Sequence, residues 1–297
     1  MRLFSRLKTG FGMARRSGRV LRAHPKLLAF PLLGGLSGIA FVVTLFGSLY
    51  ATGPLFESPG PALYGALFVA YLVETFVASF FTAALVAATR TAFRGEEPSI
   101  RDAIATAWRH KWPLLAWSLV AAIVGVIIRA IEGQDNLVAQ LLAGLFAVAW
   151  GVMTYFVVPV IVFRNPSVSE MFTESARTFK DTWGESIGAM GAIDIVSFLL
   201  ALAGAGVGVV TFLLVGGLGT AGLVATAIVG GSAVLLGLLI GKSLSGIAKT
   251  ALYVYATEDT APEYFEDMDF GRLGGDDATS SGGGLTGTLG GSGRGRI

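Results

Sequence analysis

The sequence has no cysteine, which excludes a disulfide framework, a cysteine-ligated zinc or iron–sulfur site and a cysteine nucleophile. It has two histidines, His24 and His110, too few for a histidine-rich metal site or a histidine-based triad. Only 14% of its 297 residues are charged, where about 25% is usual. With 53% apolar residues and a mean hydropathy of +0.68, these shortages exclude a disordered chain and an ordinary soluble domain.

What is abundant is apolar sequence in long runs. A spanning helix needs about 20 apolar residues. Six stretches meet or approach that length: Leu27–Tyr50, Ala62–Ala88, Trp112–Ile131, Leu137–Phe163, Ser186–Val215 and about Gly222–Tyr255. The first is about twice the 7–15 residues of a signal-peptide core and lacks a following cleavage motif, so it reads as an anchor. The sixth exceeds one crossing and reads as a tilted helix continuing past the interface.

The basic residues orient these runs. Residues 1–26 hold eight (Arg2, Arg6, Lys8, Arg15, Arg16, Arg19, Arg22 and Lys26) and no acid. Residues 89–111 hold five and residues 164–185 hold three, while the intervening connections hold none apart from Arg129 at one edge. Every second connection is basic, which predicts six crossings of the cell membrane with both termini cytoplasmic.

The basic connections carry helices of their own. Ser99 and Ser167 are placed as N-caps, with Asp102 and Glu170 at the third position of a capping box. Ile100, Ala103, Ile104, Ala107, Trp108 and Lys111 form one face; Val168, Met171, Phe172, Ser175, Phe179 and Trp183 form another. Leu3, Phe4, Leu7, Phe11, Ala14, Gly18 and Leu21 form a third, opposite arginines. Such helices, joined directly to spans, are expected to lie flat at the inner interface. The expected fold is therefore all-α and polytopic: six transmembrane helices as three repeats of an interfacial amphipathic helix plus a hairpin. Residues 1–26 form the basic interfacial helix and 27–257 the membrane domain, with interfacial helices near 99–111 and 167–183. Residues 258–277 form an acidic cytoplasmic segment, and 278–297 a disordered Gly/Ser tail.

Several segments resemble an uncharacterised six-span archaeal and bacterial membrane family, a domain of unknown function. They are Arg19-Val20-Leu21, Leu28-Ala29-Phe30-Pro31-Leu32-Leu33, Phe80-Phe81-Thr82-Ala83-Ala84-Leu85, Val158-Pro159-Val160-Ile161-Val162, Ser175-Ala176 with Trp183-Gly184, and Tyr253-Val254-Tyr255-Ala256. More remotely, the repeat unit is similar to membrane domains beside glycerophosphodiester phosphodiesterases. The resemblance implies the fold and no reaction.

Chemistry-bearing motifs are few. Gly217–Gly222 matches the dinucleotide pattern GxGxxG, but its flanks are of span length and no acid occurs between Asp194 and Glu258. Leu236–Ser243 nearly spells a phosphate loop with one glycine displaced, and reads as helix interior. No cofactor and no metal are expected, and the two histidines read as solvated or facing headgroups.

The candidate intramembrane polar site is Glu74, Asp194 and Lys242. An acid at mid-helix costs about 2.5–3.5 kcal/mol on insertion scales. Glu74 thus reads either as a relay or as an acid packed between helices; Asp194 is placed to pair with Lys242 or Lys249. Gly34/Gly38, Gly204/Gly208 and Gly237/Gly241 are small-xxx-small pairs that suit close helix contacts. Arg15, Arg16, Arg19, Arg22 and Lys26 are expected to contact anionic headgroups. Partners are membrane lipids and a possible membrane protein, with no nucleic acid; the oligomeric state stays open. The function these features favour is a non-enzymatic scaffold organising lipid or partner proteins. The alternative is a small transporter or channel with Glu74 and Asp194 in a polar path.

Overall fold

The computed structural model describes residues 2–51, 61–132, 136–183, 190–215, 219–258 and 260–268. The described chain is helical, with no strand among these residues. The elements are α1 (Arg2–Ala23), a 3-10 turn (Pro25–Leu28), α2 (Ala29–Ala51), α3 (Pro61–Ala92), α4 (Ile100–Arg109), α5 (Lys111–Glu132), α6 (Leu137–Met153), α7 (Val157–Arg164), α8 (Val168–Trp183), α9 (Met190–Leu214) and α10 (Thr220–Glu258).

Among the described residues, five stretches are long and apolar enough to cross a membrane: Pro25–Ser48, Gly65–Ala92, Lys111–Glu132, Leu137–Arg164 and Gly222–Glu258. In α9 the apolar part, Phe198–Leu214, falls short of that length. The 39 residues of α10 make a rod of about 58 Å, nearly twice the hydrocarbon thickness.

Local chemistry sets the breaks. The Ser99 hydroxyl accepts from the Asp102 N–H at 3.4 Å and starts α4. Before α8, the Glu170 carboxylate accepts from both the N–H (2.9 Å) and the hydroxyl (2.7 Å) of Ser167. Beyond α3 the chain turns at Gly95, whose φ of +74° suits glycine. At the end of α7, Asn165 adopts the left-handed conformation ahead of Pro166.

The segment expected as one span over Leu137–Phe163 is two helices, α6 and α7, separated by Thr154, Tyr155 and Phe156. Pro159 has no N–H to offer the Tyr155 carbonyl four residues earlier, and its ring crowds that group. The Phe156 N–H that leaves the ladder donates instead to Ser175 Oγ of α8 at 3.0 Å. A side chain from outside the span therefore satisfies the break, as interrupted helices at membrane depth require.

Packing is uneven along the bundle. The buried apolar residues concentrate at one end, drawn from α1 (Met13, Val20), the end of α3 (Ala83–Ala92), α4, α7, α8 and the last turns of α10 (Ile247–Val254). Toward the other end, residues such as Val43, Leu145, Leu213 and Ile228 stay exposed. The buried end is also where the basic connections lie, and is called the basic end below.

Helix α3 meets three neighbours through glycines. The Phe81 ring covers Gly34 of α2, Tyr71 covers Gly125 of α5, and Leu85 covers Gly246 of α10. Helices α9 and α10 approach backbone to backbone, Gly204 against Ala233, Gly208 against Gly230 and Gly237 against Leu200. These small-xxx-small residues thus serve contacts within the chain.

Candidate functional site

Glu74 lies on α3 facing α2. A Cβ built on Gly38 would stand 2.7 Å from Glu74 Oε2, so the carboxyl occupies the space that Gly38 leaves. Glu74 Oε1 is buried with no hydrogen-bond partner. The acid is therefore seated in a helix–helix contact. Two threonine hydroxyls on the same helix are used locally: Thr75 donates to the Tyr71 carbonyl (2.7 Å) and Thr82 to the Ala78 carbonyl (2.7 Å). Such back-bonding leaves them no free donor to extend a path from Glu74.

Of the other two members of the expected polar site, only Lys242 has a described side chain. Asp194 belongs to α9, and its side chain lies outside the described residues. Lys242 is exposed on α10 and makes no hydrogen bond or ion pair with a described residue. Lys249 sits 4.3 Å above the Tyr155 ring at the α6–α7 break, a cation–π contact. Part of the GxGxxG match, residues 217–218, lies outside the described residues, and Leu236–Ser243 is helix interior. Among the described residues no cluster of three or more histidines or acids could hold a metal ion.

The basic end carries more organised polar chemistry. Arg90 lies 4.1 Å over the Phe163 ring and 3.7 Å from Glu258. Phe163 meets Tyr253 edge-on at 4.9 Å, and Arg164 pairs with Glu174 at 2.8 Å. These contacts tie α3, α7, α8 and α10 together. Trp117 donates to Ser79 Oγ at 3.0 Å and stacks on Trp150 at 5.9 Å, with Phe172 of α8 against both rings. The sequence offered one signal for the first cluster, a basic residue closing a span at Arg90 and another at Arg164. Their partners are too distant in the chain to be read by spacing.

Segment 260–268 folds back onto α1. Phe265 is fully buried, edge-on to Phe93 at 5.8 Å, and Met268 is buried beside it. Arg16 donates to the Asp267 carbonyl and Arg19 to the Tyr264 carbonyl, each at 3.2 Å. Lys26 pairs with Glu97 at 3.3 Å, and His24 is largely buried between Glu97 (3.8 Å) and the Tyr264 ring. Of the five cations expected at headgroups, three are thus engaged by the protein. Arg15 and Arg22 are exposed and make no such bond with a described residue.

Two cavities flank this end. One, of about 150 Å³, lies under segment 260–263 among Arg90, Arg94, Glu258 and Glu263. The other, a groove of about 370 Å³, runs between α1 and α9.

A family model described as a family of unknown function, DUF6159, matches residues 62–262, more than half of the chain. No curated protein and no solved structure matches.

Proposed function

We propose that this chain, which belongs to the DUF6159 family of unknown function, is a non-enzymatic membrane scaffold that organises lipid or partner proteins at its basic end. The observation that carries this reading is the division of the bundle. The polar and aromatic contacts are assembled at the basic end, and the described acid within the spans, Glu74, is packed on Gly38. A path for ions needs polar groups in series; a platform needs a rigid outer face, which the clusters around Arg90 and Trp117 supply.

The same geometry supports six crossings of the cell membrane with both ends inside. Bonds from Arg16 and Arg19 to segment 264–267 hold the two ends of the described chain together. A shared side requires an even number of crossings. The five long spans plus α9, whose 25 residues reach about 37 Å, provide six. Helices α1, α4 and α8 each precede a hairpin, the third hairpin being α9–α10. This order supports three repeats of an interfacial helix and a hairpin, and the alternation of basic connections favours a cytoplasmic basic end.

The test is reconstitution in vesicles containing labelled phosphatidylglycerol. The protein should carry no proton or cation flux and should enrich the anionic lipid over phosphatidylcholine in its boundary layer. A flux that Glu74→Gln abolishes would replace this reading with the transporter.

A further inference from the structure

The groove between α1 and α9 has an unusual lining. Phe11, Ala14, Val196, Leu199 and Leu200 make it apolar, and Arg15 is the one charged residue in the described lining. Phe11 is 45% exposed and Leu199 is 47% exposed, so the slot is open to the surroundings. Its walls are a helix that runs directly into the first span and a helix that packs mainly against α1 and α10. On the reading that α1 lies at the inner membrane surface, the slot therefore opens where headgroups meet hydrocarbon.

The charge of the lining sets the occupant. Arg16 and Arg19 are turned toward the carbonyls of segment 264–267, so Arg15 is the guanidinium left at the mouth. An unpaired guanidinium recognises a phosphate oxygen through charge-assisted hydrogen bonds. Among the described residues that line the slot none is a carboxylate, and none would pair with the ammonium of a zwitterionic headgroup. We propose that the α1–α9 groove binds one anionic phospholipid of the inner leaflet, its acyl chain along Phe11, Leu199 and Leu200 and its phosphate on Arg15. This assigns the lipid-organising reading to a single saturable site, and it rests on that reading.

The test uses the full chain in mild detergent, titrated with phosphatidylglycerol or phosphatidylcholine of equal chain length and read by native mass spectrometry. One phosphatidylglycerol should bind ahead of all others. Arg15→Gln should lower the preference over phosphatidylcholine about fivefold, the scale of one basic residue at a membrane surface. Leu199→Trp should fill the slot and remove the first-bound lipid whatever its headgroup, whereas Arg22→Gln, outside the slot, should leave that lipid in place. An unchanged preference in Arg15→Gln, a first lipid retained by Leu199→Trp, or a mass increment from a peptide or second chain instead of a lipid would overturn the site.

The premise is checked separately. Because the chain lacks cysteine, Ala23→Cys labelled with bimane reports on α1 alone. Quenching by brominated lipids together with an unchanged Arg15→Gln preference rejects the site and keeps α1 at the membrane. Absence of quenching rejects the placement of α1 and, with it, the lipid site.

Discussion

Glu74 and Gly38 are a fitted pair, and each explains the other. A glycine on α2 leaves a gap that the carboxyl of α3 fills, so a larger residue at position 38 must displace the acid or separate the helices. Gly38→Leu is expected to lower stability by about 1–3 kcal/mol, the usual cost of overpacking. Thermal unfolding in detergent would show it. Glu74 Oε1 is buried without a partner, and an unsatisfied buried polar group costs roughly 1–3 kcal/mol. Glu74→Met should therefore raise the melting temperature; a fall would mean that the carboxyl holds a bond essential to the fold. That Glu74 was exceptional could be read from its place in an apolar run. What it faces could not, because the Gly34/Gly38 spacing marks a close helix contact without naming the residue that fills it.

At the scale of the element, the capping residues were legible because their chemistry is local. Ser167 and Glu170 lie within one turn, and the structure joins them. The N–H and hydroxyl of Ser167 hold the Glu170 carboxyl below the ordinary glutamate value of 4.5. A carboxylate lowered in the folded state contributes fully above its ordinary value and loses that contribution as pH falls through the lowered one. Hydrogen exchange in the first turn of α8, compared with Glu170→Gln at matched pH, should differ at pH 6 and converge in strong acid. An equal difference at every pH would contradict the cap. The break between α6 and α7 was less legible. Pro159 stood in view but inside a continuous apolar run, and the hydroxyl that satisfies Phe156 comes from Ser175, 19 residues onward in another helix. Ser175→Ala leaves that buried N–H without its acceptor and should cost about 1–3 kcal/mol in thermal unfolding, with Ser175→Thr recovering part of the loss.

For the whole molecule, the apolar runs and the distribution of arginine indicated a helical membrane protein, since both follow from the thickness and charge asymmetry of a bilayer. They did not indicate which arginines remain free. Arg16 meets the Asp267 carbonyl across 251 positions, a distance no periodicity reports. Replacing Arg16 and Arg19 together with Gln should loosen segment 260–268 and speed cleavage after Glu263 and Glu266 by a glutamate-specific protease, while Arg15→Gln should leave it unchanged. The same contact ties the topology together, since it requires α1 and segment 260–268 to share one side of the membrane. Single cysteines at Ala23, Glu266, Gln134 and Gly217, labelled with an impermeant maleimide in sealed inside-out vesicles, test this most directly. The account predicts labelling at Ala23 and Glu266 and protection at Gln134 and Gly217. Labelling of only one of the first two, or equal labelling of all four, would contradict it.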